Sequence, residues 1–201
     1  MKLRTIAAAL VLAVSAGLLS GCQAEEPFYS PGYWREDTYY SAFLGLRFTL
    51  PEGWEAAGEA ALEQMGADAD RALDLQLGGD GQDPASVYHY DLSATDPETG
   101  AGILALVQET GANADTYLNG LQAGAEREGA AYTTGEVLHL ELAGRRYLAL
   151  PLTMEGEAAP YQRQYARKDG DYLILIMLFT PDQEAVPFST LEGYLSSLSE
   201  E

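Results

Sequence analysis

The sequence predicts an α+β domain, an antiparallel sheet of about six to seven strands flanked by helices. Three observations carry that prediction. Short runs with the period of a strand follow one another across turn residues, which is the mark of hairpins. Apolar residues recur at helical spacing in three separate places, so helices can cover the sheet on more than one face. Tyr172 to Phe179 is apolar throughout, as a central strand covered on both faces would be.

The first strand runs from Tyr39 to Leu50, where Leu44, Leu46, Phe48 and Leu50 alternate with Gly45, Arg47 and Thr49. Pro51-Glu52-Gly53 stops it. Glu59 to Leu75 reads as a helix, with Leu62, Met65, Ala69 and Leu73 on one stripe. A Gly- and Asp-rich loop leads to a strand at Ser86–Thr95. Asp96-Pro97-Glu98-Thr99-Gly100 turns the chain into another at Ile103–Glu109. Ala114 to Glu128 reads as a second helix, with Asp115 as its cap. Thr134–Leu142 and Arg145–Met154 are strands joined at Gly144. Tyr161–Arg167 and Tyr172–Phe179 are joined across Asp169-Gly170, a strong hairpin signal. Pro181 to the end reads as a last helix, with Phe188, Leu191, Tyr194, Leu195 and Leu198 inward.

Ahead of the domain stand two other segments. Lys2 and Arg4 precede an apolar run from Ile6 to Leu19, which has the length of a signal-peptide core and is short for a membrane span. Leu19-Ser20-Gly21-Cys22 follows, and it resembles the lipobox of bacterial lipoproteins. The resemblance implies a diacylglycerol on the Cys22 sulfur and cleavage before Cys22. Cys22 is the only cysteine of the chain, so it has no internal disulfide partner. Two acyl chains at about 0.8 kcal/mol per buried CH₂ give stable anchoring. Gln23 to Asp37 reads as a tether, and its aromatics Phe28, Tyr29, Tyr33 and Trp34 either dock on the domain or lie at the lipid interface. The expected division is 1–21 signal peptide, 22–38 acylated N-terminus and tether, and 39–201 a single α+β domain.

Charge narrows the partners. The chain carries 31 acidic and 11 basic residues, for a net −20. Loss of Lys2 and Arg4 with the signal leaves nine basic residues against 31 acids, near −22. Such a charge excludes nucleic acid and does not favour lying flat on an anionic leaflet.

Tyr39-Tyr40 and the segment Leu46-Arg47-Phe48-Thr49-Leu50-Pro51-Glu52-Gly53-Trp54 resemble the opening of small Gram-positive lipoproteins of unassigned function. These are similar in layout to the PsbP and DcrB-like group. That resemblance implies an antiparallel sheet flanked by helices, an accessory role and no enzyme site.

The residues themselves offer little chemistry. His89 and His139 fall on the polar faces of two strands and would form a paired site only if those strands adjoin. No Gly-x-Ser-x-Gly, Ser-x-x-Lys, His-Glu-x-x-His or Cys-x-x-Cys motif occurs, which leaves nucleophilic catalysis and zinc without support. Asp68, Asp70, Asp74, Asp80 and Asp83 crowd a glycine-rich loop, but the EF-hand pattern fails, so no metal is expected. Arg145, Arg146, Arg163, Arg167 and Lys168 cluster late in the chain. Arg163 and Arg167 share a strand face with Tyr161 and Tyr165, and with Arg145 beside them they form a candidate binding patch. The alternative is cross-strand pairing with acids. The expected function is a lipid-anchored, extracytoplasmic, non-catalytic module that binds an envelope protein. A small-ligand-binding lipoprotein serving a transporter is the alternative. No cofactor is expected.

Overall fold

The computed structural model of the chain describes residues 28–76 and 87–198. The expected signal peptide, Cys22, Asp80 and Asp83 lie outside the described residues.

Local sequence places the elements. β1 (Tyr33–Arg35) and β2 (Thr38–Ser41) form a hairpin whose turn holds Glu36 at φ +54. β3 is Leu46–Thr49, β4 is Glu55–Ala56 and α1 is Glu59–Gln76. β5 (Tyr88–Thr95) and β6 (Gly102–Glu109) flank the expected turn, where Asp96 accepts from the Glu98 amide at 2.8 Å and the Thr99 hydroxyl at 2.7 Å. α2 is Ala114–Ala125, capped by Asn113, whose side chain accepts from the Thr116 amide at 2.8 Å. The cap is thus Asn113, with Asp115 inside the first turn. β7 (Tyr132–Thr134), β8 (Leu138–Leu142), β9 (Arg145–Met154), β10 (Tyr161–Asp169) and β11 (Tyr172–Thr180) follow, then α3 (Phe188–Gly193) and β12 (Leu195–Ser197).

The strands form two sheets, which corrects the expectation of a single sheet of six to seven strands. One has eight strands, in the order β4-β5-β6-β11-β10-β9-β7, with β8 also paired to β9. The other has four, in the order β1-β2-β3-β12. All pairings are antiparallel. The large sheet lies between two apolar layers. On one face, Leu104, Leu106, Leu173 and Leu175 pack with Leu118 and Leu121 of α2 and Ala69 of α1. On the other, Ile103, Ile174, Ile176 and Leu178 pack with Leu46 and Phe48 of the small sheet and Leu191 of α3. β11 separates these cores, which is why it is apolar from Tyr172 to Phe179. Each aliphatic side chain fully buried there contributes about 1.5–3 kcal/mol.

Several boundaries differ from the sequence reading. The strand expected at Tyr39–Leu50 is a hairpin, β2 and β3, turned at Gly45 with φ +74. The strand expected at Thr134–Leu142 is split into β7 and β8, which share one edge of β9. The last helix stops at Gly193, and Leu195–Ser197 pairs with β3 instead. The edge of β3 offers unmet backbone groups, and a serine-rich tail with a glycine is a poor helix. Leu198, expected inward, is exposed. Finally, Tyr33–Arg35 belongs to the small sheet, so the ordered fold begins before residue 39.

Candidate functional site

β5 carries the feature that shapes the site. Its pairing with β6 slips by one residue between Tyr90 and Leu92, so Asp91 is the extra residue of a β-bulge. The bulge reverses the alternation. Tyr88 and Tyr90 join the helix-side core, while Leu92 and Ala94 join the other. A strict period of two would place Tyr88, Tyr90 and Leu92 together, and the extra residue is the reason they part.

The bulge presents Asp91 to the segment before β1. Asp91 is 3% exposed. Its Oδ1 accepts from the Tyr29 hydroxyl at 2.8 Å and the Gly32 amide at 3.2 Å. Its Oδ2 and the Tyr39 hydroxyl are both buried without a hydrogen bond of ordinary geometry. Burial raises the pKa of the Tyr29 and Tyr39 hydroxyls far above the usual tyrosine value, and the charge of Asp91 adds to this. Both hydroxyls therefore stay protonated, as donors. The Tyr29 ring stacks on His89 with centroids 4.4 Å apart and meets Phe43 edge-on at 5.3 Å. Gly32 is required here, because a Cβ would sit 2.3 Å from the Tyr39 hydroxyl oxygen and 2.5 Å from the Tyr40 carbonyl.

On the opposite side stands α1. Gly66 lets it approach β5 closely, since a Cβ there would lie 2.8 Å from the Tyr88 carbonyl. Asp70, 5% exposed, accepts from the amides of Val87 and Tyr88 at 2.9 and 3.0 Å and so holds the start of β5 to the helix. Burial pushes the Tyr90 hydroxyl up to about 12, with the charge of Asp70 contributing.

Between these parts lies a cleft of about 1090 Å³. β4 pairs only with Thr95 and Ala94, so no strand among the described residues pairs the outer edge of β5 from Tyr88 to Asp91. Tyr29, Trp34 and Tyr39 form one wall, and Leu62, Glu63 and Gly66 of α1 the other. Tyr88, Tyr90 and Asp91 form the floor, and Glu36 and Glu59 stand at the rim. A concave site with aromatic side chains and convergent polar groups is the usual form of a ligand pocket.

The residues singled out in the sequence lie elsewhere. Arg163, Arg167, Tyr161 and Tyr165 do share a face of β10, and β9 does pair beside it. That face is turned inward, under α3 and the small sheet. Arg163 pairs with Glu192 at 2.7 Å and lies over the Phe188 ring at 4.6 Å. Tyr165 is fully buried and donates its hydroxyl to the same Glu192. Arg167 pairs with Asp169 at 3.0 Å and donates to the Leu44 carbonyl at 3.2 Å. Arg145 lies beyond the β9–β10 register, its guanidinium passing close to Gly45. The expected basic patch is therefore largely a set of internal ion pairs, made with α3 and within the strand rather than across strands. His89 and His139 lie on β5 and β8, which do not adjoin. Asp68 pairs with Arg71 at 3.1 Å, and Asp70 is occupied by β5. Among the described residues no group of three metal-ligating side chains occurs.

Sequence reading missed Asp91, Tyr29 and Tyr39. The local signals were a carboxylate amid the aromatic run Tyr88-His89-Tyr90 and the aromatic density before Thr38.

No protein-family model matches the chain, and no curated protein compared with it does. Among solved structures, it is similar to the solution structure of cyanobacterial PsbP (CyanoP) from Synechocystis sp. PCC 6803. The identity is 14%, the TM-score is 0.46, and the overlay covers 90% of this chain and 99% of that one. A likeness this loose does not bear on function.

Proposed function

We propose that this chain is an extracytoplasmic, non-catalytic binding protein, held on a membrane by lipid at Cys22 and taking a small ligand in the cleft between the N-terminal segment, α1 and β5. The cleft carries the reading. It holds about 1090 Å³ and has one aromatic wall over a buried carboxylate. That volume suits a small molecule. Among the described residues no helix is long and apolar enough to cross a membrane. Tyr29 is seven residues beyond Cys22, so the cleft wall lies within about 25 Å of the proposed anchor.

The test is a thermal-shift screen of the full chain, purified in detergent, against amines, small anions, sugars and short peptides. A true ligand at about a hundred times its Kd adds about 2.7 kcal/mol and raises the melting temperature. Asp91→Ala and Trp34→Ala should abolish the shift. A screen in which no compound stabilises the chain overturns the small-ligand reading.

One observation favours a protein partner as the second reading. Phe28 and Tyr33 beside the cleft are 88% and 64% exposed. Under that reading, a photo-cross-linker at Tyr33 recovers one specific envelope protein from intact cells, and recovery of none counts against it.

A further inference from the structure

The lining of the cleft favours one class of ligand. Glu59 and Glu63 are four residues apart on α1, so they stand on the same helix face, where like charges repel. Glu36 faces them from the β1–β2 turn. Arg71, the one Lys or Arg in the lining, is ion-paired to Asp68 at 3.1 Å. The floor adds Asp91, a buried carboxylate whose Oδ1 accepts from Tyr29 and Gly32 and whose other oxygen lies by the Tyr39 hydroxyl. Trp34 and Tyr29 line the cleft with these carboxylates, one face of the Tyr29 ring being taken by His89.

We propose that the cleft receives a small organic cation, an ammonium or guanidinium group carried on an apolar stem. Aromatic faces attract such a cation through the ring quadrupole, and more strongly when both are desolvated. The carboxylates supply charge, and a molecule of net charge −20 raises the local concentration of cations around it. A bare metal ion would use neither the aromatic wall nor the volume. An anion would meet the five carboxylates of the lining, Glu36, Glu59, Glu63, Asp70 and Asp91. The inference rests on the small-ligand reading and specifies its chemistry.

The experiment is isothermal titration of the full chain in detergent with spermidine, choline and agmatine, with glucose and citrate as neutral and anionic probes. At least one cation should bind, and its affinity should fall as salt rises from about 50 mM to about 500 mM. The double variant Glu59→Gln, Glu63→Gln should weaken it about tenfold. Trp34→Ala should weaken it about fivefold. Glu155→Gln, outside the cleft lining, should leave it unchanged. Binding of glucose or citrate without any cation overturns the cation inference and leaves the small-ligand reading standing. Binding of a cation that neither cleft variant weakens overturns the site. No binding by any probe overturns the cation inference, and the broader screen then decides the small-ligand reading separately.

Discussion

Alkaline pH should unfold this domain through its tyrosines. Tyr39, Tyr88, Tyr90, Tyr117 and Tyr165 are each less than a tenth exposed. Burial is the main cause that raises each hydroxyl above its ordinary value of 10. Neighbouring carboxylates add to it, Asp91 at Tyr39, Asp70 at Tyr88 and Tyr90, and Glu192 at Tyr165. A folded pKa above the unfolded value gives stability that is complete below pH 10. It is lost as pH climbs through the folded values, because the unfolded chain releases those protons first. At about pH 11 each such tyrosine costs about 1.4 kcal/mol, and five together cost about 7 kcal/mol. That equals a large part of the 5–15 kcal/mol, roughly, that holds a domain folded. The assay follows tyrosinate absorbance and far-ultraviolet circular dichroism on the same samples. Tyrosinate from these five should appear in one steep step, together with loss of the dichroism. Their gradual ionisation around pH 10 with the dichroism intact would refute the burial argued for them.

Four substitutions test particular contacts. Tyr29→Phe removes a donor to a buried carboxylate and should cost about 1.5–3 kcal/mol, read as a lower urea midpoint at unchanged slope. Gly66→Ala has a diagnostic sign: in an open helix it gains about 1 kcal/mol, but against the Tyr88 carbonyl it should lose about 1–3 kcal/mol, and a raised melting temperature would show that α1 does not approach β5 so closely. Asp70→Ala strands two backbone amides, so hydrogen exchange at Tyr88 should quicken before the rest of β5, and uniform exchange would count against the tie. Cys22→Ala should move the protein from the membrane to the soluble extracytoplasmic fraction with its melting temperature unchanged, and retention in the membrane fraction would remove the proposed anchor.

What was readable in the sequence was what local pattern alone determines. β11 was readable because two buried faces demand apolar residues, as they have from Tyr172 to Phe179. α1 was readable because Leu62, Met65 and Ala69 keep helical spacing. The division into two sheets was not readable, because alternation says that a strand has an inner face without saying what lies across it. Leu195 satisfied both a helical stripe and a strand pairing, and the pairing with Phe48 prevailed only through contact across the fold. The basic strand failed for the same reason. Arg163 and Arg167 share a face, as read, but Glu192 lies 29 residues beyond Arg163 and covers it from another element. The site was least readable of all. Tyr29 meets Asp91 across 62 positions, and the β-bulge that turns Asp91 toward it has no signature in a single sequence.

The same contact decides how the cleft opens. Fixing the four residues Tyr29 to Gly32 costs about 4–8 kcal/mol of backbone entropy. Against this stand two hydrogen bonds to Asp91, at about 1.5–3 kcal/mol each. Stacking of Tyr29 on His89 and Phe43 adds about 0.5–1.5 kcal/mol for each ring pair. Packing of the Tyr29 ring against the core adds to the favourable side, so this wall is held, though by fewer contacts than α1, which is held by a buried stripe and by Asp70. Local opening at the N-terminal segment is then the least costly route into the cleft. Under the proposed function, a ligand that bridges this segment to α1 would hold it closed by adding contacts that the free protein lacks. Because this segment also leads to the proposed anchor at Cys22, opening moves the wall nearest the membrane and leaves the two cores of the large sheet intact.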